Sequence, residues 1–202
     1  MASNYEIAKA VITENDGIAT TLQLKNAGLQ NYEIGNLYKS NLISRIRQGF
    51  YCLPDELISD EQLLSTVLPE GIVCLESALY HYGYSDYAPS SWALAVPRAI
   101  SQSKLKIPGL AISPHYVPAS NYSLGKTSSD FNGYTLLIYD KERTICDCFK
   151  YRNQMDSETF AKAINAYCAD NQKNLTNLSK YAKQLRVYKK VTEMMEVLLN
   201  GR

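Results

Sequence analysis

Three carboxylates in the second half of the sequence, Asp140, Glu142 and Asp147, are of a type that could do chemistry. They directly follow an apolar segment, 134–139, that predicts a β-strand. Carboxylates grouped at the end of a strand can hold the divalent metal of a nuclease. However, no second acidic strand with a nearby lysine accompanies them. The pair Glu142–Arg143 is also typical of a helix start, where an acidic residue meets the positive end of the helix dipole.

The other reactive residue types form no recognisable catalytic pattern. His81 and His115 stand apart from any serine, cysteine or carboxylate constellation, and we expect His81 to be structural or on the surface. Cys146 and Cys148 do not have the C-x-x-C spacing of a zinc site, which favours Cys146 as a small core residue. No glycine-rich phosphate loop occurs. We therefore predict no catalytic residues, no metal and no cofactor. The alternative is a metal-dependent nuclease or nucleotide-modifying enzyme guided to its substrate by a DNA-binding domain.

Charge is distributed unevenly along the 202 residues, although the net charge is only +1. Residues 55–170 carry nine basic and fourteen acidic side chains, whereas residues 171–202 carry seven basic and two acidic ones. The segment 34–54 holds three basic residues and no acidic one. This asymmetry indicates an anionic partner at the two ends of the chain. The 16 tyrosines suit interfaces, because tyrosine combines a large ring with a hydroxyl group.

No apolar run approaches the roughly 20 residues that span a bilayer, and residues 1–10 do not resemble a secretion signal. The odd number of cysteines, five, favours reduced thiols over a disulfide framework. We therefore expect a cytoplasmic protein with no membrane partner.

The first 54 residues predict a winged helix-turn-helix. Apolar spacing predicts helices over 5–14, from Thr20 or Thr21 to Gly28, and over 30–40, where Ile34, Leu37 and Tyr38 would face inward. Residues 42–53 then read as a hairpin around a glycine turn, with a basic tip. A short glycine turn between two helices, followed by a hairpin, is the order of such a domain.

The predicted DNA-contacting residues lie on the third helix, the hairpin tip and the start of the second helix. Arg45, Arg47 and Lys39 would meet phosphates, and amide side chains of the third helix would meet base edges. The complete set is Thr20, Thr21, Asn31, Tyr32, Asn36, Lys39, Ser40, Arg45, Arg47 and Gln48. With so few charges, we expect modest affinity per monomer and binding at paired half-sites. Gly35 in mid-helix costs roughly 1 kcal/mol relative to alanine, which a close DNA backbone or a helix neighbour would explain.

Several segments resemble the AbiEi-type antitoxins of type IV toxin–antitoxin systems, which act in abortive phage infection. In the N-terminal part the similar segments are GIATT at 17–21, LKNAGL at 24–29 and LISRIRQGFY at 42–51. Further along they are LESAL at 75–79 followed by Gly83, and YDKERTICD at 139–147. The resemblance covers about residues 5–152. Two departures from the family pattern are Gln48 at the hairpin tip, where many relatives are basic, and the low arginine content of the third helix.

The resemblance implies a protein with two activities. The winged helix would bind inverted repeats of double-stranded DNA in its own promoter and repress the operon. The C-terminal domain would counteract a nucleotidyltransferase-like toxin, with direct contact not required. We expect a monomer in solution that binds DNA cooperatively.

The remaining sequence predicts an α+β protein with a linker at 55–60 and a mixed α/β domain over 61–202 that is helical and basic from about 156. Strands are predicted at 92–96, 110–117 (an edge strand, because of Pro114) and 134–139. Helices are predicted at 61–68, 75–82, 142–152, 156–169 and, as one long helix, 175–199. The stretches 98–108 and 118–132 are predicted to be loops. The last helix is predicted to have one apolar stripe, formed by Leu178, Ala182, Leu185, Met194 and Leu198. It also carries a possible second basic surface of Lys180, Lys183, Arg186, Lys189 and Lys190.

Overall fold

The computed structural model describes residues 3–200, and the chain divides into two compact units. The first unit comprises the chain up to Leu68 together with Ser101–Leu110. The second comprises Pro69–Ile100 and the chain from Ala111 onward. Helices and strands occur in both, which agrees with the predicted α+β class. In the described part of the chain, no helix is long and apolar enough to cross a membrane.

The first unit contains the three helices and the hairpin that the sequence predicts. Its elements are α1 (Asn4–Glu14), β1 (Ala19–Thr20), α2 (Thr21–Asn26), α3 (Asn31–Lys39), β2 (Ser44–Arg47), β3 (Phe50–Cys52) and α4 (Asp60–Val67). The strands pair antiparallel in the order β1-β3-β2. Its core includes Ala8, Ile12, Leu24, Ile34, Leu37 and Ile43.

Local sequence explains where these elements begin and end. Thr20 caps α2 in a capping box: its hydroxyl accepts from the backbone N–H of Gln23, whose side chain accepts from the N–H of Thr20. Asn41 follows α3 with a φ of 55°, and asparagine tolerates this left-handed conformation. Within α2, Leu24 is buried in the core, whereas Leu22 is 68% exposed.

The first unit extends beyond the predicted domain boundary at residue 54, because α4 forms hydrogen bonds with it. The side-chain amide of Gln62 donates to the carbonyl of Asp16. The guanidinium of Arg47 donates to the carbonyl of Val67. These long-range bonds place the predicted linker and the helix after it in the first unit.

The second unit is built on a mixed sheet with the strand order β6-β5-β4-β8-β7. Its strands are β4 (Ile72–Val73), β5 (Trp92–Pro97), β6 (Ile112–Val117), β7 (Lys126–Phe131) and β8 (Tyr134–Tyr139). Its helices are α5 (Leu75–His81), α6 (Ala119–Tyr122), α7 (Lys141–Lys150), α8 (Ser157–Ala169), α9 (Leu175–Gln184) and α10 (Tyr188–Asn200). β6, which contains Pro114, lies at the edge of the sheet as predicted.

Two sequence predictions for this unit are wrong. The predicted loop 118–132 contains α6 and β7, and β7 pairs antiparallel with β8 from Lys126–Tyr139 to Phe131–Tyr134. β7 carries exposed polar side chains, so it lacks the apolar alternation that identifies a strand. The predicted long helix 175–199 is two helices, because Arg186 adopts a φ of 62°. The N–H of Val187 donates to the carbonyl of Ala182, which ends α9 in a Schellman-type turn.

The break also changes which face of the last helix is buried. Leu178, Ala182 and Leu185 are buried as predicted. Met194, which the uninterrupted stripe placed inside, is 37% exposed, and Met195 is buried instead. The turn at Arg186 resets the helical phase, so the periodicity of α9 does not continue into α10.

A buried polar network on α7 holds the second unit together. The Nε of Arg143 donates to Asp147 at 3.0 Å, and its Nη1 donates to the carbonyls of Asn121 and Leu124. The guanidinium carbon also lies 4.0 Å from the ring centroid of Tyr139. Arg143 is 1% exposed, so these contacts replace the hydration that its charge loses.

Gly125 lies against this network and has a φ of 69°. A β-carbon at this position would be 2.5 Å from the Cβ of Arg143. Gly133, in the turn between β7 and β8, also has a positive φ, but no atom lies within 4 Å of the position that its β-carbon would take. The two glycines therefore share a backbone constraint and differ in packing.

We predict that Gly125→Ala destabilises the protein more than Gly133→Ala. Gly133→Ala should lose about 1–2 kcal/mol through the left-handed backbone alone. Gly125→Ala should lose about 1–3 kcal/mol more, because its β-carbon displaces the helix that carries Arg143. Urea unfolding followed by circular dichroism measures both values, and equal losses would show that Arg143 can move aside freely.

Candidate nucleic-acid interface

The outer side of α3 carries polar residues that the sequence predicts to contact DNA. Asn31, Tyr32, Asn36, Lys39 and Ser40 are all exposed. On the inner side, Ile34 and Leu37 are buried, as predicted. Packing of these two aliphatic residues therefore fixes which side of α3 faces solvent, and the amides and the lysine share that side.

Gly35 lies on α3 among these residues, one helical turn from Asn31 and from Lys39. No heavy atom lies within 4 Å of the position that a β-carbon would take. A closely packed neighbouring helix therefore does not explain this glycine, because no part of the described chain occupies the space. A close DNA backbone remains as the predicted explanation. The shallow notch at Gly35 leaves room for an outside partner.

The hairpin meets the end of α3 through Arg45 and Tyr38. The guanidinium carbon of Arg45 lies 4.6 Å from the ring centroid of Tyr38. The prediction that Tyr38 faces inward is wrong, since its side chain is 38% exposed. This cation–π contact joins the hairpin and α3 into one surface, and Arg45 remains exposed on it.

Arg47 and Gln48 have different roles from that of Arg45. Arg47 donates to the carbonyl of Val67, the last residue of α4, and its guanidinium carbon lies 4.8 Å from the ring centroid of Phe50. A helix leaves its last carbonyls without intrahelical donors, so an arginine is a suitable partner there. Arg47 is thus engaged inside the first unit, whereas Gln48 is exposed in the turn.

The two threonines at the start of α2, which the sequence predicts to contact DNA, are also engaged within the fold. The hydroxyl of Thr20 is part of the capping box with Gln23. The backbone N–H of Thr21 donates to the carbonyl of Gly49 at 2.9 Å. The structure therefore leaves the predicted contacts on α3, Arg45 and Gln48 exposed, and gives Thr20, Thr21 and Arg47 structural partners.

Glu33 is a charged residue at this surface that the sequence analysis did not single out. Its carboxylate accepts from the N–H of Gln30 and the side-chain amide of Asn4, which links α1 to α3. The backbone bond to Gln30 contributes most to lowering the pKa of this carboxyl group. The Gln30-x-x-Glu33 spacing, which is that of a capping box, could have identified this carboxylate from the sequence. Glu33 adds a negative charge to the first turn of α3.

The possible second basic surface lies on α9, α10 and the turn between them, within the second unit. Its five residues, Lys180, Lys183, Arg186, Lys189 and Lys190, are all exposed. The Nζ of Lys183 lies 5.0 Å from the ring centroid of Tyr188, and Lys189 approaches Glu193 at 3.8 Å. The positive charge predicted from the sequence is thus displayed to solvent.

The three carboxylates that could do chemistry have structural partners around α7. Asp140 caps the helix through the N–H of Arg143 and accepts from the hydroxyl of Tyr181. Glu142 accepts from the hydroxyl of Tyr167 and the N–H of Asn174. Burial raises the pKa of Asp140 and of Asp147, although the charge of Arg143 opposes this for Asp147. The predicted pairing of Glu142 with Arg143 is replaced by the pair Arg143–Asp147.

The histidines and cysteines add no catalytic geometry to these carboxylates. The Nε2 of His81 lies 2.8 Å from the hydroxyl of Ser129, and its ring stacks on Phe131, which agrees with a structural role. Cys146 is buried as predicted, and burial raises the pKa of its thiol. Within residues 3–200, no group of three or more His, Cys, Asp or Glu side chains is arranged to hold a metal ion.

Comparisons with known proteins bear on the fold. No protein-family model matches the chain, and no curated protein sequence matches it. Among solved structures, the RV2827C protein from Mycobacterium tuberculosis is similar, with a TM-score of 0.61 and 14% sequence identity. The similarity covers 91% of this chain and 72% of that one. At this identity the likeness concerns the fold alone.

The different surroundings of Arg45 and Arg47 lead to a stability prediction. Arg47→Ala should destabilise the protein by about 1–2 kcal/mol, because the carbonyl of Val67 loses its charged donor and the ring of Phe50 loses its cation–π contact. Arg45→Ala, its matched control on the same strand, should change stability by less than about 0.5 kcal/mol. Chemical unfolding of the two variants tests this, and equal effects would contradict the structural role of Arg47.

Proposed function

We propose that the first unit is a winged helix-turn-helix domain that binds double-stranded DNA. The observation that carries the proposal is the surface formed by the outer side of α3 and Arg45. It combines amides suited to base edges with cations suited to phosphates. The order of α2, a glycine turn, α3 and the β2–β3 hairpin supports this assignment.

The number of cations predicts weak binding by a single copy. Lys39 and Arg45 are exposed on the proposed surface, while Arg47 is engaged with Val67, and Glu33 opposes phosphate on the first turn of α3. Each cation that neutralises a phosphate releases counterions, and this release supplies much of the affinity. We propose that useful affinity arises from two or more copies on inverted repeats in the promoter of the protein's own operon, which would make the protein an autorepressor.

The resemblance to AbiEi-type antitoxins supports a second role, antitoxicity against a nucleotidyltransferase-like toxin. The second unit would carry this role without catalysis. Asp140, Glu142 and Asp147, the residues that a nuclease would need, cap a helix, hold neighbouring elements and neutralise Arg143. Expression of the cognate toxin alone should arrest growth, and co-expression of this full chain should restore it. Persistent arrest would contradict the antitoxin role and leave the repressor role in place.

Binding to the DNA upstream of the protein's own gene, compared with a shuffled duplex, is the direct test of repression. Wild-type protein should bind the native duplex more tightly and cooperatively. Lys39→Ala and Arg45→Ala should each reduce the slope of log K against log salt by about one. Asn36→Ala should reduce the difference in affinity between the native and the shuffled duplex. Fluorescence anisotropy at several salt concentrations measures all three effects.

Lys9→Ala is the matched control, because Lys9 is exposed on α1, a helix that carries none of the proposed contact residues. Its salt slope should equal that of the wild type. Equal and weak binding of both duplexes would contradict sequence-specific repression, and unchanged slopes in Lys39→Ala and Arg45→Ala would remove those residues from the interface.

Gly35 provides a test in which stability and binding should move in opposite directions. Gly35→Ala should stabilise the protein by about 0.5–1 kcal/mol, because alanine favours the helix and meets no atom of the chain. If the DNA backbone approaches this notch closely, the same change should weaken binding about tenfold or more. Thermal melting and anisotropy give the two readings.

Thr13→Ala is the control for Gly35→Ala, since Thr13 is exposed on α1 and the change also favours helix formation. It should raise stability without affecting DNA affinity. Full affinity in Gly35→Ala would show that the partner does not approach α3 at this point.

A further inference from the structure

A cavity of about 390 Å³ in the second unit is not used by any role proposed so far. Its polar lining includes Glu76 of α5, His115 of β6 and Tyr151, which follows α7. Leu75, Ala93 and Met155 are among its apolar lining residues. This volume lies within the range of about 300–1,000 Å³ that is usual for small-molecule sites.

Three polar side chains converge on the cavity without hydrogen bonds to the rest of the fold. Among the described residues, none forms a hydrogen bond with the carboxylate of Glu76, the imidazole of His115 or the hydroxyl of Tyr151. The rings of His115 and Tyr151 contact each other edge to face, with centroids 5.4 Å apart. All three side chains are half-buried, so a molecule in the cavity can reach them. Polar groups gathered in a cavity and left for an outside partner are typical of a ligand site.

The backbone at Leu75 is a second, independent observation. Leu75 is 2% exposed and has a φ of 43°, a conformation that bulky residues rarely adopt. The adjoining bonds hold it there: the N–H of Cys74 donates to the carbonyl of Ala93, and the N–H of Ala93 donates to the hydroxyl of Ser77. Such backbone strain often marks ligand sites, and here it occurs at the residue directly before Glu76.

The charge of the lining selects the class of ligand. Glu76 contributes a carboxylate, and no lysine or arginine is present in this lining. Burial lowers the pKa of His115, so its imidazole is neutral at pH 7 and can accept a hydrogen bond. Lys150, whose Nζ lies 5.4 Å from the Tyr151 ring centroid, is exposed and does not line the cavity. A carboxylate beside neutral acceptors and aromatic rings suits an N–H-rich cation and disfavours an anion.

We propose that this cavity binds a small organic cation, an amidine or a primary amine attached to an apolar body. The cationic N–H groups donate to Glu76 and to His115, and the body packs on Leu75 and Met155. The hydroxyl of Tyr151 supplies a further polar contact. This site does not depend on DNA binding by the first unit, so the failure of either proposal leaves the other unaffected.

Three probes of nearly the same shape test the charge preference on the wild-type full chain. Benzamidine is cationic, benzamide is neutral and benzoate is anionic. Amide ¹H–¹⁵N chemical shifts, followed during titration, should change for benzamidine at residues around Glu76, His115 and Tyr151. Benzamide should bind at least about tenfold more weakly, and benzoate should not bind. Equal binding of benzamide or benzoate, shift changes elsewhere, or no binding of benzamidine at about 10 mM would overturn the proposal.

Glu76→Gln tests the carboxylate directly, because it removes the charge and keeps the shape. It should weaken benzamidine binding about tenfold or more, and Tyr151→Phe should weaken it less. Glu14→Gln, an exposed carboxylate of the first unit, is the matched control and should have no effect. Unchanged affinity in a folded Glu76→Gln variant would overturn the proposal. The comparison of the three probes tests it independently, because that experiment needs only the wild-type chain.

Discussion

A buried guanidinium organises the second unit of this protein. Removing the charge of Arg143 from water is unfavourable unless its donors are matched, and Asp147 with the carbonyls of Asn121 and Leu124 provides that match. These partners lie on α7 itself and on the chain between β6 and β7. The end of β8 takes part as well, through the ring of Tyr139. One side chain thus determines how α7 sits on the sheet, and Gly125 gives it the space that it needs.

Neighbouring polar residues extend the same network to the later helices. Glu142 receives the hydroxyl of Tyr167 on α8 and the N–H of Asn174 at the start of α9. Asp140 receives the hydroxyl of Tyr181 on α9. The acidic residues that suggested metal chemistry in the sequence therefore serve to join secondary-structure elements.

In the first unit, similar residue types are divided between internal contacts and the exposed surface. Arg45 and Arg47 lie on one strand, yet Arg45 contacts Tyr38 at the exposed surface while Arg47 holds the end of α4. The amides of α3 are exposed because Ile34 and Leu37 fill the core below them. The proposed DNA surface is therefore small, and its limited charge is a reason to expect recognition by more than one copy.

Local sequence determined much of the secondary structure. The capping box at Thr20, the apolar faces of α1 and α3, the hairpin and the edge position of the strand with Pro114 follow from interactions between residues close in the chain, or from the chemistry of a single residue. For the same reason, the exposed polar side of α3 and the basic character of α9 and α10 could be predicted, since helical spacing places such residues.

Tertiary contacts decided the remaining features. β7 exists because β8 supplies its hydrogen bonds, although its own residues are polar. The placement of α4 with the first unit depends on Gln62 reaching Asp16 and on Arg47 reaching Val67. The cavity that gathers Glu76, His115 and Tyr151 brings together residues from three separate segments. Sequence periodicity reports which face of an element is apolar, but partners distant in the chain determine which polar groups are hydrogen-bonded inside the fold and which are not.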